Sequence, residues 1–205
     1  MGLPASLVND LEFIPLDRPV ALLMRHSARY PILDPAEPYL AGLTPEGIAM
    51  AEELGRQLGR KHRGGRLLSA PVARCMDTAQ AVARGAGWPE LVSAEERLSH
   101  PFIAPAYDSF ARGEVNGVLP WQAGAVLELL LADANRGAQL DVMVTHDTIL
   151  VTVAGCLLQA PVLKEFWPDY LEGMFVWRAE EQVCVRWRGS ERRFHPDLFL
   201  NARKG

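Results

Sequence analysis

The apolar run of residues 20–24, Val-Ala-Leu-Leu-Met, stops abruptly at Arg25-His26-Ser27-Ala28-Arg29. No junction in the chain constrains its fold more. Five apolar residues without polar alternation read as a strand buried on both faces, the pattern of a sheet covered by helices. Such a strand delivers Arg25 and His26 at its carboxyl end, where open α/β sheets bind ligands. Guanidinium groups beside an imidazole describe an anion site that contains a nucleophile.

Two further segments repeat the order of buried strand, polar residues and helix. Residues 66–69 are expected to form a short strand, and Pro71 to open a helix running to about residue 86. Arg74 then sits in the first helical turn, where free amides and the helix dipole also favour an anion. Residues 141–145 read as a strand that leaves His146 and Asp147 just past its end, before an apolar helix near 149–158. If the three strands are neighbours, their ends converge on one pocket.

Elsewhere Thr44 caps a helix with Pro45 in its first position, and Ala51, Leu54 and Leu58 mark its apolar face. Pro120 is expected to start another helix, and residues 174–178 and 183–188 to form a closing hairpin. Residues 1–18 read as a lead-in. Residues 97–119, which hold Pro101, Pro105, Gly113 and Gly117, read as an irregular excursion. Tyr30, Tyr39, Phe102, Tyr107 and Phe110 are read as anchors of their loops rather than as a substrate rim. The whole predicts a three-layer α/β/α sandwich: a mainly parallel sheet, helices on both faces and a C-terminal hairpin. At 205 residues it fits a single domain, 1–205, with a short irregular cap insertion near 97–119.

A formal net charge of −4 gives no reason to expect a nucleic-acid partner, so any anion site must come from locally gathered arginines. The three cysteines, Cys75, Cys156 and Cys184, have no metal-type spacing and read as core thiols in a reducing compartment. Residues 140–160 are too interrupted, by His146 and Asp147, to span a membrane. The N-terminus lacks the basic start and apolar stretch of a secretory signal. A cytoplasmic protein without a membrane partner is expected.

These residue types fit phosphate chemistry. Hydrolysis of a phosphate monoester dianion is so slow unaided that accelerations up to ~10²¹ are needed. Arg25, Arg29 and Arg74 offer planar, permanently charged donors for the equatorial oxygens. His26, neutral near pH 7, can attack phosphorus, and Asp147 can protonate the leaving oxygen and then activate water.

Arg25-His26-Ser27-Ala28-Arg29-Tyr30-Pro31 resembles the RHGxRxP signature of the histidine phosphatase superfamily, whose fold is phosphoglycerate mutase-like. His146-Asp147 resembles the HD pair of its acid phosphatase branch. The stretch from Ser69 through Arg74 to Thr78-Ala79 resembles its second arginine segment, and Gly42-Leu43-Thr44-Pro45-Glu46-Gly47 its Leu-Thr-x-x-Gly helix start. The resemblance spans roughly residues 20–155. It implies a phosphohistidine at His26, a phosphate pocket of Arg25, Arg29, Arg74 and His146, and Asp147 as proton donor. It also implies that neither metal nor organic cofactor is needed, and that the substrate is a small phosphorylated molecule or a phosphoprotein. Ser27 stands where the signature has glycine, so its hydroxyl is a candidate phosphate ligand. His100 is a candidate for the pocket wall or a second acid. Two alternatives are a phosphoglycerate mutase-like phosphotransferase and an inactive phosphate-binding or scaffold member. Against the first, Leu98-Ser99-His100 carries histidine where the mutase branch has glutamate; Ser27 motivates the second.

Overall fold

The computed structural model describes residues 2–112, 120–132, 137–158 and 167–197. Its centre is a seven-stranded sheet built from β1 (Val20–Arg25), β2 (Gly64–Ser69), β3 (Val92–Ala94), β4 (Leu140–Thr145), β5 (Gly173–Ala179), β6 (Gln182–Trp187) and β7 (Ser190–Phe194). The order is β3-β2-β4-β1-β5-β6-β7. The first four strands of that order run parallel. β5 pairs antiparallel with β1 and continues into an antiparallel meander through β6 and β7.

Residues 20–24 are all buried. Successive strand side chains point to opposite faces, so burial of every one means that both faces are covered. The covering helices are α2 (Pro45–Gly59) packed on α3 (Ala73–Ala86), and a second group of α4 (His100–Ala111), α5 (Trp121–Leu131) and α6 (Asp147–Leu158). The three-layer expectation therefore holds, with a mixed sheet whose parallel half carries the polar strand ends. The three cysteines are buried and free. Among the described residues no helix is long and apolar enough to cross a membrane.

Thr44 caps α2 as expected, its Oγ1 accepting a hydrogen bond from the Gly47 amide at 3.0 Å. Gly47 matters for a second reason: a Cβ there would lie 2.1 Å from the Ala28 carbonyl oxygen. The helix thus starts against the backbone that follows His26. Gly47→Ala must push the two apart, and a loss of about 1–3 kcal/mol is expected. For a chain of this size that is a fall in thermal midpoint of roughly 3–10 °C. An unchanged melting curve would show that the close approach is dispensable. α3 meets α2 just as tightly, since a Cβ on Gly85 would meet the Glu52 carbonyl oxygen at 2.0 Å.

Three sequence expectations need correction. Within the supposed lead-in, α1 (Ala5–Asp10) is helical, because Leu7 buries almost completely in the core. The closing hairpin gains a third strand, β7, whose Phe194 is also buried. The excursion at 97–119 is mostly helical: a short 3₁₀ turn (Glu96–Leu98) precedes α4, and residues 113–119 lie outside the described residues. Pro101 occupies the first turn, where its missing amide costs nothing. Pro105 falls inside the helix, at a cost of ~3 kcal/mol or more, against which Ile103 and Ala106 bury in the core.

Candidate active site

The parallel register brings three strand ends level. Arg25 lies opposite Thr145, and Ser69 opposite Val144. Just beyond, the His26 amide donates to the Thr145 carbonyl and the Ala70 amide to the Val144 carbonyl, both at 2.9 Å. The residues that follow, His26, His146 and (through the first turn of α3) Arg74, therefore meet.

His26 is buried, and both ring nitrogens are engaged. Its Nδ1 lies 2.8 Å from the Ser27 carbonyl oxygen, which can only accept, so Nδ1 carries the proton. Nε2 accepts a hydrogen bond from Arg74 Nε at 3.1 Å. The imidazole is thus neutral, with its Nε2 lone pair held by Arg74. Arg74 also donates through Nη1 to the Pro38 carbonyl at 3.0 Å, and its Nη2 lies 3.4 Å from His146 Nδ1. The His26 and His146 rings stand edge to face, with centroids 5.5 Å apart.

Burial drives the His26 pKa down from its ordinary 6.5 to about 3; the Ser27 carbonyl opposes this, while Arg74, His146 and Arg25 add to it. His146 falls to about 4, by burial and then by Arg74, with Asp147 opposing. Below pH ~6.5 an unfolded chain protonates both rings while the folded pocket refuses, so stability drains away as pH falls towards 4. The urea midpoint is expected to drop steadily from pH 7.5 to 4.5, and less steeply in His146→Gln. A midpoint constant over that interval would mean that the rings take up protons within the fold.

Asp147 begins α6 at the mouth of β4. Its Oδ2 is 2.9 Å from Arg25 Nη2 and accepts from Trp167 Nε1 at 3.0 Å, while Oδ1 accepts from the Thr148 amide at 2.9 Å. Burial pushes its pKa up, but Arg25, Trp167 and the Thr148 amide together outweigh this, and the group lies below the usual carboxylate value. It is an ion-paired carboxylate. Arg25 in turn donates to the Pro168 carbonyl at 2.6 Å and lies over the Tyr170 ring, 4.3 Å from its centroid.

The structure thus brings together His26, Arg25, Arg74, His146 and Asp147, and departs from expectation at other positions. The Ser27 hydroxyl is committed to the backbone: it is buried and donates to the Gly47 carbonyl at 2.6 Å, while its amide donates to Thr78 Oγ1 at 3.0 Å. Nor is Ser27 among the residues with positive φ, so the backbone there does not demand glycine. Arg29 turns its Nη1 to the Tyr30 carbonyl at 2.8 Å and reaches Arg74 only as a nearby charge. His100 opens α4 close enough for its charge to lower the His146 pKa.

Sequence reasoning missed several members. Tyr39, read as a loop anchor, lies 6.3 Å from the His146 ring and 5.8 Å from the Arg74 guanidinium carbon. Phe102 and Tyr107 do act as anchors, stacking edge to face with Trp121 and Trp167; the Phe110 side chain lies outside the described ones. Cys75 Sγ is 3.8 Å from His146 Nε2, and burial pushes its thiol up to about 12, so it stays protonated. Trp167 and Tyr170 were missed because β5 was seen only as half of a hairpin. An antiparallel neighbour of β1 enters where β1 leaves, and this lands residues 167–172 beside Arg25 and His26. Among the described residues no group of three or more His, Cys, Asp or Glu is placed to hold a metal ion.

An α/β sandwich with an arginine–histidine cage at its parallel strand ends is the class that fold and site define. A model of the histidine phosphatase superfamily (branch 1) matches residues 39–100, the stretch holding α2, Arg74 and α3. Comparison with curated proteins finds no match. Among solved structures, the chain is similar to the putative phosphohistidine phosphatase SixA from Agrobacterium tumefaciens, with TM-score 0.54 and 18% identity over 82% of this chain and 94% of that one. A phosphoserine phosphatase variant from Entamoeba histolytica, in complex with phosphoserine, gives 0.57 and 18% over 83% and 96%. Phosphoglycerate mutase from Bacillus anthracis gives 0.53 and 14% over 91% and 96%. At such identities the structural likeness shows the fold. The family model covers residues 39–100, and over that stretch the chain is similar to the histidine phosphatase superfamily.

Proposed function

We propose that this protein is a phosphatase that hydrolyses a phosphate monoester through a phosphohistidine at His26. One observation carries the reading: a single guanidinium, Arg74, spans the His26 lone pair and His146 at the converging strand ends. A dianion entering there competes for Arg74 and for Arg25, and in taking them it frees Nε2. That lone pair then attacks phosphorus: the N–P bond forms, the P–O ester bond breaks, and the leaving oxygen takes a proton from Asp147. The Ser27 carbonyl, facing Nδ1–H, stabilises the positive charge that the ring gains. Water next attacks the phosphoryl group and gives its proton to the Asp147 carboxylate, and the N–P electron pair returns to Nε2. Arg25 and Arg74, with His146, hold the equatorial oxygens throughout, so positive charge comes from side chains and we infer a metal-independent reaction. Asp147 is ionised while it pairs with Arg25. It becomes an acid only when the dianion draws Arg25 away and itself disfavours a second negative charge nearby.

The substrate would be a small phosphorylated molecule or a phosphorylated protein side chain, with neither nucleic acid nor membrane as partner, in the cytoplasm. The test is a pre-steady-state assay with an activated aryl phosphate. A burst of about one leaving group per active site is expected before a slower steady rate, because a good leaving group makes phosphoenzyme breakdown limiting. Release of leaving group and phosphate at equal rates from the first turnover, with no trappable intermediate, would contradict a covalent pathway.

A further inference from the structure

We propose that Trp167 is the positioning residue for Asp147: its indole N–H keeps the carboxyl group aimed at the leaving oxygen once Arg25 has turned to the phosphate. This rests on Asp147 being the proton carrier. Oδ2 of Asp147 is shared by Arg25 Nη2 and Trp167 Nε1, at 2.9 and 3.0 Å. A cation that must serve the dianion cannot also be the fixed anchor of the acid. The indole is uncharged, does not follow the phosphate, and remains when Arg25 leaves.

The segment that carries Trp167 is itself held rigidly. Glu172 is buried, with Oε2 accepting from the Asp169 amide at 2.9 Å and Oε1 from Ser6 at 3.2 Å, and it is ion-paired with Arg188. Arg188 Nη2 also donates to the Trp167 carbonyl at 3.3 Å. Between these ties Leu171 adopts φ +63°, a left-handed conformation that persists where surroundings impose it. Tyr107 meets the Trp167 ring edge to face at 6.3 Å. One clamp therefore holds the acid through Trp167 and its cation through Pro168 and Tyr170.

The groups that face Asp147 are Arg25 at the end of β1 and His26 just past it, Arg74 and Cys75 from α3, His146 beside it, His100 of α4 through His146, and the Thr148 amide on its own helix. Against that set Trp167→Phe removes one neutral donor and keeps the ring. The carboxylate loses a hydrogen bond, so its proton affinity rises.

The experiment follows kcat against pH for an alkyl phosphate, whose poor leaving group makes phosphorylation the slow step, in wild type, Trp167→Phe and Asp147→Asn. The limb that falls as Asp147 loses its proton should move to higher pH by ~1 unit in Trp167→Phe and vanish in Asp147→Asn. A lower kcat at every pH with the limb unmoved overturns the positioning role while Asp147 keeps its own. A limb that persists in Asp147→Asn removes the proton carrier, and this proposal with it. Should Trp167→Phe fail to fold, wild type still decides. In wild type saturated with inorganic phosphate, which draws Arg25 away as the substrate does, one of the five indole N–H resonances must then titrate across the pH range of the limb; five static resonances across that range overturn the proposal.

Discussion

His26→Ala is expected to lower kcat by at least ~10⁴-fold on any monoester that the wild-type protein hydrolyses, and to abolish covalent phosphorylation. His26 is the imidazole whose Nδ1–H is held on the Ser27 carbonyl, which leaves Nε2 as the attacking nitrogen. The His26 lone pair is the one that Arg74 Nε occupies at 3.1 Å, and His146 is turned so that its Nδ1 faces Arg74 Nη2. Anion binding should survive, because Arg74 keeps its ties to Pro38 and His146 and Arg25 is unaffected. Affinity for inorganic phosphate is therefore expected within ~10-fold of wild type while turnover disappears. Since His26 is buried, alanine leaves a cavity, and His26→Asn, closer in volume and polarity, serves as the second variant. Turnover within 100-fold of wild type in a folded variant would hand the nucleophile's role to another group.

Asp147→Asn carries the other large effect, and its pattern across substrates matters more than its size. An amide neither gives a proton to the leaving oxygen nor takes one from water. Alkyl phosphates, whose leaving oxygen cannot depart as an anion, should slow by ~10²–10⁴. Activated aryl phosphates need no acid in the first step and should keep that step nearly intact, with the phosphoenzyme accumulating because water has lost its base. Removal of the carboxylate also strips Arg25 of its 2.9 Å partner, so inorganic phosphate or vanadate should bind more tightly than to wild type. Equal losses on alkyl and aryl substrates in the rate of phosphoenzyme formation would show that Asp147 acts on something other than the leaving group.

Much of this site was legible in the sequence, for a physical reason. Runs such as residues 20–24 and 142–144 are wholly apolar, so they mark buried parallel strands, and whatever follows them must lie at a strand end. Once the strands are neighbours, that places His26, Arg74, His146 and Asp147 together. Thr44 and Pro45 announce α2 by chemistry that is local to a helix start. What escaped reading is non-local. Pro105 argues against a helix over His100–Ala111, and only burial of Ile103 and Ala106 overcomes that local preference. The pairing of β5 with β1 leaves no mark in either strand, so the clamp of Trp167, Pro168 and Tyr170 was invisible. Ser27 misled in a different way. The glycine that the backbone requires near the signature is Gly47, which faces Ala28 across the loop, and Ser27 fills its own place with a hydrogen bond to that same residue.

Trapping the intermediate asks the chemical question most directly. Protein mixed with a labelled monoester and quenched in alkali, which preserves a phosphorus–nitrogen bond that acid cleaves, is digested and the phosphorylated peptide sequenced. The phosphoryl group should be found on the peptide containing His26, be lost in acid, and be absent from His26→Ala. Substrate turned over with the label on a serine, on a carboxylate or nowhere in the chain would contradict attack by this imidazole.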